Sequence, residues 1–297
     1  MREPADGWLE RDGISLHYLE WSADPDAPKA RPILLLHGLS SNAQYWGRVA
    51  AHLPGRRLVA LDQRGHGLTG RPPHTPRVPD GLAMEQLIAD ATHVIDRLEL
   101  ERPVVVGHSW GATVGLELAV SAGDRIAAFV FIDGPVQSAA NLFSWEDAQG
   151  FMQPPLPRYE SFAAAVADSR RDFDGAWADD LEPFVMARLM PEGAAYVLTL
   201  TAPVRLELLR GLYDSPVDQL WTLLTVPAAA LLARQGPGAV SSWRERGARQ
   251  LAGSAPDVTI KWFDTPHDIP LFVPEPIAAE IAAFSDSEPA AAEQFEE

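Results

Sequence analysis

The residues best suited to chemistry begin with Gly107-His108-Ser109-Trp110-Gly111, a G-x-S-x-G run. It is preceded by the apolar stretch Val104-Val105-Val106 and followed by a helical pattern from Trp110 to Ser121 that closes at Gly123. A serine hydroxyl is a poor nucleophile until a neighbouring base takes its proton. This spacing answers the positional half of that problem. A tight turn from strand to helix strains the backbone at the serine, so nearby positions must be small, and Gly107, Gly111 and Ala112 are. The hydroxyl is carried to the carboxyl end of the strand and the amino end of the helix, where amide dipoles favour developing negative charge. G-x-S-x-G also arises by chance in a chain with 22 glycines; the flanking strand and helix single out Ser109 as the candidate nucleophile.

The base must come from eight histidines. His267 lies in Phe263-Asp264-Thr265-Pro266-His267-Asp268, after the last expected strand and ahead of a helix expected over Ile277 to Phe284. A loop at that point opens at the same sheet edge as Ser109, so His267 is the candidate base. His17, His52, His74 and His93 fall in a strand, a helix, a Pro-rich loop and a helix face, none with a supporting context. His37, His66 and His108 read as histidines that bond loop backbone rather than move protons. Arg64 and the glycines of Asp62 to Gly67 read as pinning a loop.

These residues need a scaffold. Short runs that are apolar throughout, at Ile33 to Leu36, Leu58 to Leu61, Val104 to Val106, Phe129 to Ile132, Ala229 to Leu232 and Val258 to Phe263, alternate with helical patterns. That rhythm predicts parallel strands covered by helices on both faces. Gly7 to Glu10 and Ile14 to Glu20 turn at Asp12-Gly13 and predict a hairpin. Met84, Leu87, Ile88, Ala91, Val94, Ile95 and Leu98 recur at three- and four-residue spacing, one face of a helix. The rhythm breaks from about Val136 to Trp221, where Pro154, Pro155 and Pro157 precede helical stretches at Ser161 to Arg171, Leu181 to Leu189 and Gly193 to Tyr213, with no strand run. The expected organisation is therefore a core over 1–136 and 223–284, a helical cap over 137–222, and a disordered acidic tail over 285–297.

Composition narrows the partners. Lys and Arg number 24 against 41 Asp and Glu, a formal charge of −17. A phosphate backbone calls for a positive surface, so nucleic acid is excluded as a partner. With no cysteine there is no disulfide, thiol nucleophile or Cys metal site, and no His/Asp/Glu group has ligand spacing, so neither metal nor cofactor is expected. No leader-like apolar core follows Met1 and no run is long enough to span a membrane, which makes the cytoplasm the expected location and membrane association unexpected. The expected partner is a small-molecule substrate; the oligomeric state stays open.

Together, His37-Gly38-Leu39-Ser40, Asp62-Gln63-Arg64-Gly65-His66-Gly67, Gly107 to Gly111 and Pro266-His267-Asp268 resemble the α/β-hydrolase superfamily, over about residues 7 to 284. The likeness is to its capped esterase and lactonase branch, related to haloalkane dehalogenases. The resemblance implies an α/β fold with a mostly parallel central sheet, and a catalytic histidine at His267. It also implies an oxyanion hole from the backbone N–H groups of Leu39 and Trp110. In many members the acid follows the strand before the penultimate helix, but here Ala228 to Gly238 holds no Asp or Glu. Asp133, after Phe129-Val130-Phe131-Ile132, is the expected substitute: some resembling dehalogenases carry their acid there, and it keeps the chain order serine, acid, histidine. Asp264 and Asp268 are fallbacks, and a dyad is the remaining possibility.

Alkyl-halide or epoxide opening on this fold needs a carboxylate nucleophile, whereas serine with a base and oxyanion donors suits acyl transfer. The expected activity is hydrolysis of a carboxylic ester or lactone with a small to medium hydrophobic substrate. The alternatives are carbon–carbon cleavage beside a ketone and a non-catalytic ligand receptor on the same fold. Trp46, Trp145, Phe143 and Trp177 are expected to line an apolar substrate pocket.

Overall fold

The computed structural model describes residues 3–26, 29–69 and 79–286. Eight strands form the central sheet: β1 (Ala5–Arg11), β2 (Ile14–Trp21), β3 (Ile33–Leu36), β4 (Leu58–Leu61), β5 (Val104–His108), β6 (Ala128–Ile132), then β10 (Ala228–Ala233) and β11 (Thr259–Phe263) after an intervening segment. Their order is β1-β2-β4-β3-β5-β6-β10-β11. The β1–β2 and β2–β4 pairs are antiparallel and the other five pairs are parallel. The hairpin turns where the sequence predicts it, with Asp12 at φ 50° and Gly13 at φ 75°, the positive angles that a two-residue turn of matching twist demands.

Strands β3, β4, β5, β6 and β10 are buried along their whole length. Side chains alternate across the sheet, so each strand feeds two cores. Leu34, Leu36, Val105, Phe129 and Phe131 join one core, with Trp221 5.0 Å from Phe131. Ile33, Leu35, Val104, Val106, Val130 and Ile132 join the other. Each fully buried Val, Leu, Ile or Phe stabilises the fold by about 1.5–3 kcal/mol before entropy is charged against it. Helices Met84–Arg97 and Trp110–Ser121 pack on the first face, and Pro274–Ser285 on the second.

The chain leaves β6 at Ile132 and re-enters the sheet at Ala228. Between them lie helices Trp145–Met152, Phe162–Asp172, Glu182–Ala187, Ala202–Asp214 and Val217–Leu223. The expectation of an all-helical segment is corrected here. β7 (Arg158–Tyr159), β8 (Leu189–Glu192) and β9 (Ala195–Leu198) form a three-stranded antiparallel sheet in the order β7-β9-β8. The helix expected over Gly193 to Tyr213 is instead strand β9 followed by the helix from Ala202. Gly193, at φ 64°, turns β8 back on itself through a two-residue loop, and Tyr196-Val197 favour an extended strand. Residues 287–297 of the expected acidic tail, and His74, lie outside the described residues. Among the described residues no helix is long and apolar enough to cross a membrane.

The parallel strands bring their carboxyl ends to one edge. From β3 the chain first goes to β4 on one side, then to β5 on the other, so a crevice opens between the loops after β3 and β5. β10 lies between β6 and β11.

Candidate active site

Ser109 follows β5 directly, at φ 54° and ψ −121°, a conformation that costs an L-residue of order 1–3 kcal/mol and persists only when its surroundings enforce it. The enforcement is visible. Its N–H donates to the carbonyl of Ile132 at 2.8 Å. A methyl group on Gly107 would lie 2.3 Å from the Gly111 carbonyl oxygen, and one on Gly111 would lie 2.4 Å from the carbonyl oxygens of Leu36 and His37. The glycines of the motif are needed for this close backbone approach.

The three side chains expected to cooperate are brought together. Ser109 Oγ is 2.9 Å from His267 Nε2, and His267 Nδ1 is 2.6 Å from Asp133 Oδ2. Asp133 follows β6 directly, at φ 44°, and its side chain is fully buried. Its Oδ1 accepts the N–H of Ala233 at 2.9 Å, and its Oδ2 also accepts from Arg244 Nη2 at 2.6 Å. Burial pushes the His267 imidazole pKa down, but the hydrogen bond and charge of Asp133, with the charge of Asp268, outweigh it and hold it above its ordinary value. Arg244 works in the downward direction. Asp264 and Asp268 do not reach the ring: Asp264 accepts from Gln235, and Asp268 accepts from the Tyr45 hydroxyl at 3.2 Å.

The remaining histidines of the loops bond locally. His37 Nδ1 donates to the Gly38 carbonyl at 2.8 Å and its Nε2 accepts the Gln63 N–H at 3.1 Å. His66 Nδ1 donates to the Arg64 carbonyl at 2.9 Å and its Nε2 accepts the Ser40 N–H at 3.1 Å. His108 Nε2 donates to the carbonyl of His267 at 3.1 Å and so supports the loop that carries the base. Asp62 accepts from the N–H groups of Ala43 and Leu68, at 2.7 and 2.8 Å, and from His17 Nδ1 at 2.8 Å. Arg64 is fixed by Asp90, with Nη2 2.8 Å from Oδ1. These side chains pin the loops after β3 and β4.

Leu39 follows Gly38 in the loop after β3, and Trp110 follows Ser109. A methyl group added to Gly38 would meet Ser109 Cβ at 3.0 Å, which sets the Leu39 loop against the serine, and Trp110 opens the helix behind it. Beside Ser109, Asp133 and His267 lies a cavity of about 480 Å³, walled by Leu142, Phe143, Met152, Leu212, Val240 and Trp243.

Of the four aromatic residues expected in a pocket, Phe143 lines this cavity, its ring 4.6 Å from that of Trp243. The other three are corrected. Trp46 is wholly buried in the second core, where its size fills volume under the sheet. Trp145 packs on Tyr213 at 5.2 Å with the Arg210 guanidinium over its ring. Trp177 lines a separate cavity with Arg48 and Phe272. Sequence reasoning missed Val240, Trp243 and Arg244, all on the helix Gly238–Ser254 that follows β10. The signal was available in the missing acid: a carboxylate moved to β6 faces whatever follows β10, its neighbour in the sheet. Among the described residues no group of three His, Cys, Asp or Glu could hold a metal ion.

Residues 31–179 match the family model described as alpha/beta hydrolase fold. The lipase LipV of Mycobacterium tuberculosis is 29% identical over 279 residues, covering 90% of this chain and 97% of its own length. An epoxide hydrolase of Caballeronia sordidicola is 28% identical over 245 residues, 80% of this chain and 61% of that protein. Among solved structures, the thioesterase domain from the curacin biosynthetic pathway superposes with a TM-score of 0.77 at 18% identity, covering 94% of this chain and 99% of that one. The enol-lactonase from Burkholderia xenovorans LB400 superposes with a TM-score of 0.65 at 17% identity, with the same coverage of 94% and 99%. At such identities the likeness is one of fold.

Proposed function

Because the chain belongs to the α/β-hydrolase fold family, we propose that it is a serine hydrolase cleaving a carboxylic ester or lactone through an acyl-enzyme. The observation that carries this reading is the unbroken relay from Ser109 Oγ through His267 to Asp133, with contacts of 2.9 and 2.6 Å. His267 Nε2 takes the serine proton as Oγ attacks the substrate carbonyl, and the new oxyanion sits between the N–H groups of Leu39 and Trp110. Collapse expels the alcohol, which leaves with the proton held by His267. A water then gives its proton to His267 and attacks the acyl carbon; the acid departs and Oγ recovers its proton. Asp133 holds the imidazole with Nδ1 protonated and stabilises the imidazolium.

Relatives of this chain are named epoxide hydrolases as well as a lipase. Epoxide opening on this fold proceeds through a carboxylate nucleophile, and position 109 is serine, which supports the acyl-transfer reading. The segment 137–222 acts as a cap, and Leu142, Phe143 and Met152 from it meet Val240 and Trp243 over the serine, so one arm of the substrate is apolar. The test is covalent. A fluorophosphonate probe is expected to label the protein at about neutral pH, to lose its target in Ser109→Ala, and to label more slowly in the presence of p-nitrophenyl esters that the protein turns over. Failure to label, together with no turnover across a panel of esters and lactones, would overturn the proposal.

A further inference from the structure

After β3 the chain makes a single 3-10 turn over Ala43–Trp46 and continues directly as the helix Gly47–Ala51. Tyr45 and Arg48 stand three residues apart on it, so they share a face. Each touches the segment 137–222 on one side and the chain around His267 on the other.

Arg48 makes the fuller bridge. Its Nε and Nη2 donate to the two carboxylate oxygens of Asp180, both at 2.7 Å. Its Nη1 donates to the carbonyl of Ala176 at 2.6 Å and to that of Leu271 at 3.0 Å. Ala176 and Asp180 belong to the segment 137–222, whereas Leu271 lies in the helix Ile269–Phe272 that follows the base. Its carbonyl is one of those that a helix end leaves without an intrahelical partner. A planar guanidinium fixes the directions of its donors, so the two carbonyls cannot part without losing a bond. The Arg48 side chain is only 16% exposed, and water competes little for these contacts.

Tyr45 is buried. Its ring lies 5.9 Å from Phe184, on the helix Glu182–Ala187, and the Phe184 carbonyl accepts from Asn42 Nδ2 at 2.9 Å. On its other side the Tyr45 hydroxyl donates to Asp268 Oδ1 at 3.2 Å. The Tyr45 ring also stacks on His108 at 4.9 Å, and His108 holds the His267 carbonyl at 3.1 Å. The chain that carries the base is thus gripped at the carbonyl of His267, the side chain of Asp268 and the carbonyl of Leu271. Displacing a catalytic group by about 1 Å can cost roughly 10²-fold in rate.

We propose that Tyr45 and Arg48 are positioning residues that couple the seating of the segment 137–222 to the placement of His267. The inference rests on the serine-hydrolase reading above for its kinetics, but the coupling itself can be read without turnover.

The test cuts one side of a bridge and reads the other. Asp180→Ala removes an Arg48 contact made only to the segment 137–222, at a side chain that is 54% exposed. Amide hydrogen exchange should then quicken over residues 267–273 as well as 176–187, and kcat/KM for a p-nitrophenyl ester should fall about threefold or more. Tyr45→Phe cuts the contact to Asp268 and keeps the ring against Phe184; because coupling is reciprocal, exchange should quicken in the helix Glu182–Ala187. Arg171→Gln, in the same segment but on neither bridge and 72% exposed, should change neither exchange nor rate. Faster exchange confined to the side that was cut, or an Asp180→Ala rate equal to that of the wild type, would overturn the coupling while leaving the serine reading intact. Absence of fluorophosphonate labelling in the wild type would instead strike the serine reading, and the exchange pattern would still decide the coupling.

Discussion

Arg244 and His267 share one oxygen of Asp133: each places a nitrogen 2.6 Å from Oδ2, while Oδ1 takes the N–H of Ala233 at 2.9 Å. The carboxylate is thereby fixed in rotation, and its charge is divided between an imidazole and a guanidinium. In the proposed mechanism His267 acts as a base only when neutral, and Asp133 raises its pKa whereas Arg244 lowers it. Removing the guanidinium in Arg244→Gln should raise the His267 pKa further, so the acid limb of kcat/KM moves to higher pH. Arg244→Lys restores a cation and should return the limb toward its original position. A purely structural role would lower activity at every pH and leave the limb where it was.

Replacing the acid probes the same relay from the other side. Asp133→Asn keeps the shape and the contact with the Ala233 N–H but lets the imidazole settle with its proton on the nitrogen facing Ser109. Turnover of a p-nitrophenyl ester should fall roughly 10⁴-fold, as in other Ser-His-Asp systems, with an unchanged circular dichroism spectrum. Near-normal turnover would reduce the relay to Ser109 and His267.

Much of this arrangement was legible before the structure. Ser109 and the helix behind it follow from a motif whose glycines have a geometric reason, and the strands β3, β4 and β6, with Val104 to Val106 of β5, are apolar runs that only a sheet covered on both faces can bury. Asp133 was reachable because it directly follows such a run. Local pattern failed where long-range contacts decide. Tyr196-Val197 pair with β7 and β8, partners distant or reversed in sequence, so a helical reading of that stretch was natural. Trp46 and Phe143 are alike in apolar character, and only tertiary packing sends one to the core and the other to the cavity. Arg244 carries no local signature at all; its meaning comes from a carboxylate 111 residues earlier.

The glycines of the strand-to-helix turn at Ser109 bear on stability rather than activity. A methyl group at Gly111 would fall 2.4 Å from two backbone carbonyl oxygens, and backbone cannot rotate out of the way as a side chain can. Gly111→Ala should therefore destabilise the fold by about 1–3 kcal/mol or more, read as a lower urea midpoint. Gly150→Ala is the control, because an added methyl there meets nothing within 4 Å. Equal midpoints for the two variants would show that the close approach at Gly111 is not required.

The histidines that bond loop backbone should make the fold acid-sensitive. Burial, reinforced by the charge of His267, pushes His108 down to about 4; burial, with the charge of His37, pushes His66 down to about 3. Both stay neutral in the folded protein at a pH where unfolding lets them take up a proton near the ordinary 6.5. Their contribution to stability is therefore complete above about pH 6.5 and is lost as the pH falls toward those depressed values. Each histidine contributes a slope of up to about 1.4 kcal/mol per pH unit across that window. Thermal melts at about pH 7 and about pH 4.5 should show a large drop for the wild type. In His108→Gln, which keeps a side-chain N–H for the His267 carbonyl, the drop should be smaller, since one of the groups that binds a proton on unfolding is gone. An identical drop in that variant would mean that His108 does not titrate between the folded and unfolded states as its burial requires.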